Sequence, residues 1–260
     1  MVSQPDRRRG RGAELSPSPV KAAALELGLP VTDRVDDVLE VDVDLGVVVA
    51  FGQLIKAHVL AAVPMVNLHF SLLPRWRGAA PVERALLAGD TTTGVDLMGL
   101  EVGLDTGPVF AEVDVPIRSD ATLETLRSEL VEAGTTLLVE RLLTGLGEPE
   151  PQEGEPVYAA KLDRDEYRID WSQPAAVIER WVRLGGAWTT YEGKRFKIWA
   201  AHVVDAAGPP GALRDGVVAC GQGGLELVEV QPEGKSRRSF ADWANGARPE
   251  PGVRLGEERS

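Results

Sequence analysis

Apolar and polar residues along this chain first follow the rhythm of alternating strands and helices, then that of short strands alone. Ser16-Pro-Ser-Pro19 reads as a turn into a helix over 20–27, with Gly28 as its stop and Pro30 just beyond. Leu45–Phe51 (LGVVVAF) is an almost unbroken valine-rich run, the pattern of a parallel strand buried on both faces. A second strand is expected over 63–69, delivering polar residues at its carboxyl end. Pro81 opens a helix that turns Val82, Ala85 and Leu86 inward and closes at Gly89. Strands are expected over 95–100 and 108–117. A long helix follows from Asp120 as N-cap, with Leu123, Leu126, Leu130, Ala133, Leu137 and Leu138 at three-and-four spacing.

The stretch Gly145–Pro156 (GLGEPEPQEGEP) breaks this rhythm, because it is dense in Gly, Pro and Glu and has no period. It divides the chain into a first domain at 1–145, a linker at 146–156 and a second domain at 157–260. Beyond it one helix (175–184) precedes strand-like pieces at 196–204, 216–219 and 225–231. Short strands between glycine turns predict a small barrel of the oligonucleotide-binding type. The predicted class is therefore α/β: a Rossmann-like sheet followed by a smaller, OB-like β-barrel domain.

Composition narrows the function. With 43% hydrophobic and 26% charged residues, the 260-residue chain is of the globular kind, and its longest apolar run is far short of a membrane span. The polar, arginine-rich opening lacks the apolar core of a secretion signal. One cysteine, Cys220, rules out an internal disulfide framework and fits a cytoplasmic setting. Three histidines, at 58, 69 and 202, are too scattered for a metal cluster. The net charge of −12 argues against indiscriminate nucleic-acid binding, DNA included. Two basic patches run against that background: Arg7, Arg8, Arg9 and Arg11 near the start, and Lys235, Arg237 and Arg238 near the end. An acidic body with local basic patches suits an RNA end held by its phosphates; the ordinary reading of each patch alone is solvated surface.

Candidate chemistry sits in two segments. Asn67 and His69 are two residues apart in a predicted strand, which puts both side chains on one face, roughly 6–7 Å apart. An amide and an imidazole together can bind a carbonyl oxygen as it becomes negative. Asp105 lies between Gly103 and Gly107, where the backbone can turn tightly and present a carboxylate able to raise the imidazole pKa. Taken singly these are ordinary features: a histidine at a strand end is more often structural, and G-L-D-T-G could be only a tight loop. Ser71 lacks the flanking glycines of a nucleophile elbow, and no Rossmann or Walker phosphate loop is present.

The run N-L-H-F-S-L-L-P-R-W-R-G-A-A-P at 67–81, with G-L-D-T-G at 103–107, resembles the methionyl-tRNA formyltransferases among the 10-formyltetrahydrofolate-dependent transferases. The N-x-H element and later Asp belong to the wider class; R-G-A-A-P points to the tRNA branch. The likeness continues through P-D-R-R-R-G-R-G (5–12), S-P-S-P-V-K (16–21), Y-A-A-K-L (158–162), I-D-W (169–171), G-A-W-T-T (186–190), G-K-R-F-K (193–197) and Q-P-E-G-K (231–235). It implies transfer of the formyl group of 10-formyltetrahydrofolate to methionine on initiator tRNA, without a metal. Asn67 and His69 would stabilise the oxyanion, and Asp105 would orient His69 and help take the amine proton. Ser71, Leu72, Leu73 and Pro74 match the folate-binding segment, and Ala50, Phe51, Gly52 and Leu54 would wall the pterin. Arg7, Arg8, Arg9, Arg11 and Lys21 fall in the loop that meets the tRNA acceptor end, and Lys235, Arg237 and Arg238 in the domain that holds more of that arm.

The chain departs from the pattern twice. The family's opening strand, Gly-Thr-Pro turn and helix are absent before Pro5, which implies an N-terminally incomplete catalytic domain. The connection between Val182 and Trp188 is also shorter than usual. Two alternatives stand beside this reading: a folate-dependent formyltransferase acting on a small amine, such as glycinamide ribonucleotide or an amino sugar, and a catalytically inactive RNA-binding remnant.

Overall fold

A computed structural model describes residues 1–9, 14–250 and 252–257; Arg11 of the first basic patch lies outside them. By contacts the chain forms two units. The first comprises Met1–Ala79, Gly94–Asp114 and Glu132–Tyr158; the second comprises Ala80–Thr93, Val115–Val131 and Ala159–Ser260.

The chain opens with a two-stranded hairpin, β1 (Arg7–Arg9) against β2 (Glu14–Ser16), with Arg7 opposite Ser16. Helix α1 (Pro19–Glu26) starts where expected: Pro19 occupies its first turn, and the Ser18 hydroxyl accepts the Lys21 N–H at 3.0 Å. A 3-10 turn at Val35–Glu40 leads to β3 (Gly46–Val49), then α2 (Ala57–Ala62) and β4 (Met65–His69). Next come β5 (Arg77–Gly78), α3 (Pro81–Ala88), β6 (Thr92–Gly99), β7 (Val109–Pro116) and α4 (Leu123–Thr144).

The sheet that carries the chemistry has the order β3-β4-β6-β7. It is mixed, with β3 parallel to β4 and β6 antiparallel to β4. The run around β3 is not buried on both faces as its apolar pattern predicts. β3 ends the sheet order, and Val47 and Val49 remain 41% and 46% exposed. Composition alone cannot say how many neighbours a strand has. The expected N-cap of α4 also shifts: Thr122, not Asp120, caps it, exchanging backbone-to-hydroxyl bonds with Thr125 at 3.2 and 3.0 Å. Two hydroxyls three residues apart thus satisfy two orphan N–H groups reciprocally, each accepting the other residue's N–H.

In the second unit α3 buries Val82, Ala85 and Leu86 as predicted, and Gly89 closes it in the left-handed conformation. After β8 (Tyr158–Ala159) comes α5 (Ala175–Arg183), which buries Ala175, Ile178 and Val182 at helical spacing. The remaining elements are β9 (Trp188–Tyr191), β10 (Lys194–Val204), β11 (Leu213–Arg214), β12 (Val217–Ala219), β13 (Gly224–Pro232), β14 (Arg238–Ser239) and α6 (Phe240–Ala247). Their strands form one antiparallel sheet in the order β11-β12-β13-β10-β9, with β14 on β13. No strand pair closes this sheet into a barrel among the described residues. The final segment nevertheless touches both of its ends: Leu255 N–H donates to Gly211 O at 2.8 Å, and Gly256 N–H to Thr190 O at 2.9 Å. Its core centres on Phe196, Ile198, Leu225 and Trp243, with Phe196 and Trp243 ring centroids 4.7 Å apart. Each such side chain contributes about 1.5–3 kcal/mol of burial.

Candidate active site

β4 ends on His69, and the parallel strand β3 ends on Val49, opposite Leu68. The loops leaving both carboxyl ends, 50–54 and 70–76, therefore open on the same side of the sheet, the usual position of a site in such folds. Asn67 and His69 alternate with Leu68 and share one face of β4, as predicted.

His69 is 5% exposed. Its Nε2 lies 2.9 Å from the Trp76 carbonyl, and its Nδ1 lies 3.7 Å from Asp105 Oδ2. A carbonyl only accepts, so Nε2 carries a hydrogen and donates it to Trp76 O. In the neutral ring Nδ1 then holds the lone pair, facing a carboxylate. A proton arriving at Nδ1 would be received beside a negative charge. Burial pushes the His69 pKa below its ordinary value, while the Asp105 charge and the Trp76 carbonyl pull it upward.

Asp105 is brought to His69 by a turn that bends at the aspartate itself, at φ +50°, and not at its flanking glycines. Those glycines supply space instead. A Cβ on Gly107 would stand 1.9 Å from the Gly99 carbonyl oxygen, and one on Gly103 would stand 2.3 Å from Thr106 Oγ1. The Asp105 carboxylate accepts the Gly78 N–H at 2.7 Å. Trp76 is also left-handed, at φ +67°. Such conformations in residues bearing a Cβ persist where surrounding contacts enforce them, commonly at functional sites.

The segment 71–74 is organised from beneath. Ser71 is fully buried, and its hydroxyl donates to Arg75 O at 2.7 Å, so it shapes the loop. Leu73 N–H donates to Asp96 Oδ2 at 2.7 Å. Leu72 packs closely over Gly94, where an added Cβ would fall 2.5 Å from it. Leu72, Leu73 and Pro74 are half-buried. In the other loop Ala50 and Gly52 are exposed, both at positive φ, Phe51 is half-buried and Leu54 is 84% exposed. A small cavity of about 180 Å³ runs under this loop, lined by Val35, Asp36, Gln53, Leu54, Lys56 and Val59. With Val102 and Leu104 also exposed beside Asp105, this unit holds unpartnered apolar groups of the kind an aromatic substrate covers. A larger cleft, about 580 Å³, lies in the second unit between 165–172 and 254–257. Volume does not make it the reaction site: its lining mixes carboxylates and arginines and contains no imidazole, thiol or other activated group.

Sequence reasoning missed several participants. The stretch expected as a linker has no helix, yet Glu150 pairs with Val109 and Gln152 binds the Asp105 turn. Nothing in a Pro/Glu-rich run advertises one glutamine. Asp96 had a visible signal, a lone carboxylate inside an otherwise apolar strand. It is wholly buried, and its Oδ1 has no partner among the described residues.

The two basic patches fall in different units. Arg7 and Arg8 are exposed on β1, where the backbone of Arg9 also lies, while Lys21 pairs with Asp6 at 2.8 Å. Lys235 and Arg238 are exposed around the turn from β13 to β14, and Arg237 pairs with Glu229. Beside that turn is a rung the sequence did not reveal. Arg195, Lys197 and Trp199 alternate along β10, and Lys197 stands opposite Trp188 of β9. The Trp188 ring lies 4.3 Å from the Arg195 guanidinium, and the Trp199 ring lies 5.0 Å from that of Arg237.

Among the described residues no helix is long and apolar enough to cross a membrane, and no cluster of three His, Cys, Asp or Glu could hold a metal ion. Residues 1–142 match the family model described as formyl transferase, and 161–248 match the one described as formyl transferase, C-terminal domain. A methionyl-tRNA formyltransferase from Paracoccus denitrificans is 44% identical over 95% of this chain and 88% of its own length. Two solved structures share the fold. The sugar 3N-formyl transferase WlaRD, solved with dTDP and 5-N-formyl-THF, matches at TM-score 0.65 and 16% identity over 85% of this chain and 83% of its own. The methionyl-tRNA formyltransferase from Clostridium thermocellum matches at TM-score 0.55 and 18% identity over 70% and 86%.

Proposed function

Because this chain belongs to the formyl transferase family, we propose that it moves the formyl group of 10-formyltetrahydrofolate to the α-amino group of methionine on initiator tRNA. The carrying observation is that His69 and Asp105 meet at 3.7 Å at the end of the strand that also presents Asn67.

In this reading the methionyl amine attacks the formyl carbon and the carbonyl oxygen becomes negative. The Asn67 amide donates to that oxygen. The His69 Nε2–H, which rests on Trp76 O, is the second donor once the oxyanion competes for it; losing such a donor costs about 10²–10³ in rate. The attacking amine releases a proton, which His69 Nδ1 receives beside Asp105 and returns to N10 as the carbon–N10 bond breaks. The products are formylmethionyl-tRNA and tetrahydrofolate, with no net proton gained or lost at the site. The loops 50–54 and 71–74 hold the folate; this is supported by the exposed Leu54 and by the fixed Leu73–Asp96 contact.

The division into a catalytic domain (1–145), a connecting segment (146–156) and a tRNA-binding domain (157–260) goes with this function. An OB-like barrel for the last is supported by the tail that bonds both ends of its sheet. The RNA partner is supported by the exposed arginines of β1 and by the Trp188–Trp199 rung with its cations. A cytoplasmic setting is supported by the buried, free thiol of Cys220.

Formylation assays with charged initiator tRNA, glycinamide ribonucleotide and an amino-sugar nucleotide test the assignment. Activity confined to the tRNA is expected. Preference for a small amine would overturn the tRNA reading, and an active wild type unaffected by Asn67→Ala or His69→Ala would remove the site.

A further inference from the structure

We infer that Gln152, anchored by Arg77, is a positioning residue that holds the Gly103–Gly107 turn so that the Asp105 carboxylate stays beside His69. The inference rests on the reading that Asp105 and His69 perform the proton transfer.

Gln152 Nε2 donates to two carbonyls of the turn, Asp105 O at 2.9 Å and Gly107 O at 2.7 Å. Its Oε1 accepts from Arg77 Nε at 3.0 Å and Nη2 at 2.6 Å. The amide therefore uses both of its donors and both acceptor sites. Its orientation follows from chemistry, because a guanidinium can only donate and a carbonyl can only accept. Oxygen must face Arg77 and nitrogen must face the turn.

The grip falls where the turn needs it. Asp105 is held at φ +50°, a region that disfavours a residue with a Cβ, so relaxation would swing its carbonyl and carboxylate away. The Gln152 bonds oppose that swing at the main chain on either side of Thr106. Gly78 N–H opposes it at the carboxylate. Arg77 and Gly78 are consecutive, so one dipeptide holds Asp105 twice: through its own amide, and through the guanidinium by way of Gln152. Gln152 reaches only the main chain of Asp105, so it acts through that residue and not on the reacting atoms.

Gln152→Ala removes the whole link. Gln152→Glu keeps an acceptor for Arg77 and removes the donors to the turn, so it isolates the proposed contact. Both variants would be measured for kcat, for KM toward each substrate, for thermal midpoint and for the His69 titration by NMR, assigned against a His69 variant. The expected result in both is a kcat lowered about tenfold to a hundredfold, as for an ångström-scale misplacement, with both KM values within about twofold. Asp105 raises the His69 pKa, so the His69 titration should move to lower pH as the carboxylate drifts. The inference is overturned if kcat stays within about twofold. It is equally overturned if activity falls only in step with thermal stability while His69 titrates as in wild type. The titration needs no turnover, so a wild-type chain inactive toward tRNA would sink the functional reading separately.

Discussion

Asp96 Oδ2 accepts the Leu73 N–H at 2.7 Å from a wholly buried position in β6, directly opposite His69 in the strand register. Burial pushes the Asp96 pKa up to about 7; the Leu73 N–H opposes this, and the charges of Glu112 and Asp114 add to it. In the folded state the carboxyl thus holds its proton well above pH 3.8, where the unfolded chain has released it. Its contribution to stability is full below about pH 4 and is lost as pH rises to about 7, at most roughly 1.4 kcal/mol per pH unit. Asp96→Asn keeps an oxygen for Leu73 and cannot ionise. It should be more stable than wild type at pH 8 by on the order of 2 kcal/mol and nearly equal at pH 4. Denaturant titrations at both pH values check this; an Asn variant weaker than wild type at pH 8 contradicts it.

Asp105→Asn retains an acceptor for Gly78 N–H, so the turn should survive while its charge goes. Burial would then act on His69 against the Trp76 carbonyl only, and its titration should move to lower pH, carrying with it the matching limb of the pH–rate profile. A loss of about 10²-fold in kcat is expected, within the range for general acid–base groups. An unshifted limb would show that Asp105 does not govern the imidazole.

Gly107→Ala forces a Cβ to within 1.9 Å of the Gly99 carbonyl oxygen, an atom of the backbone that cannot step aside. Destabilisation of about 3 kcal/mol or more is expected. Gly246→Ala, inside α6 with nothing within 4 Å of the new Cβ, should instead stabilise by about 0.5–1 kcal/mol through helix propensity. Equal effects from the two would refute the steric account.

Trp188→Ala and Trp199→Ala should each raise KM for tRNA about tenfold, the lower end of what losing one stacked base costs, and leave KM for the formyl donor alone. Arg195→Ala should flatten the salt dependence of tRNA binding by about one unit of slope. Unchanged tRNA affinity in both tryptophan variants would remove this face from the interface.

The helices were legible because their signals are local. Pro81 and Gly89 bracket α3, and the three-and-four spacing of Ala175, Ile178 and Val182 marks the buried side of α5. The shared face of Asn67 and His69 was equally readable, since alternation in a strand follows from backbone geometry alone. The run around β3 misled because valine content registers burial without registering neighbours, and that strand stands at the end of its sheet order.

The chain's own order of residues thus settled which side chains could do chemistry and on which element each would stand, because period, caps and glycines act over a few positions. Only the folded structure decided what those groups face. Trp76 takes one ring nitrogen of His69 and Asp105 approaches the other, while Gln152 arrives from 47 residues further on to steady the aspartate. Contacts between residues so far apart depend on the path of the whole backbone and leave no periodic trace in the sequence.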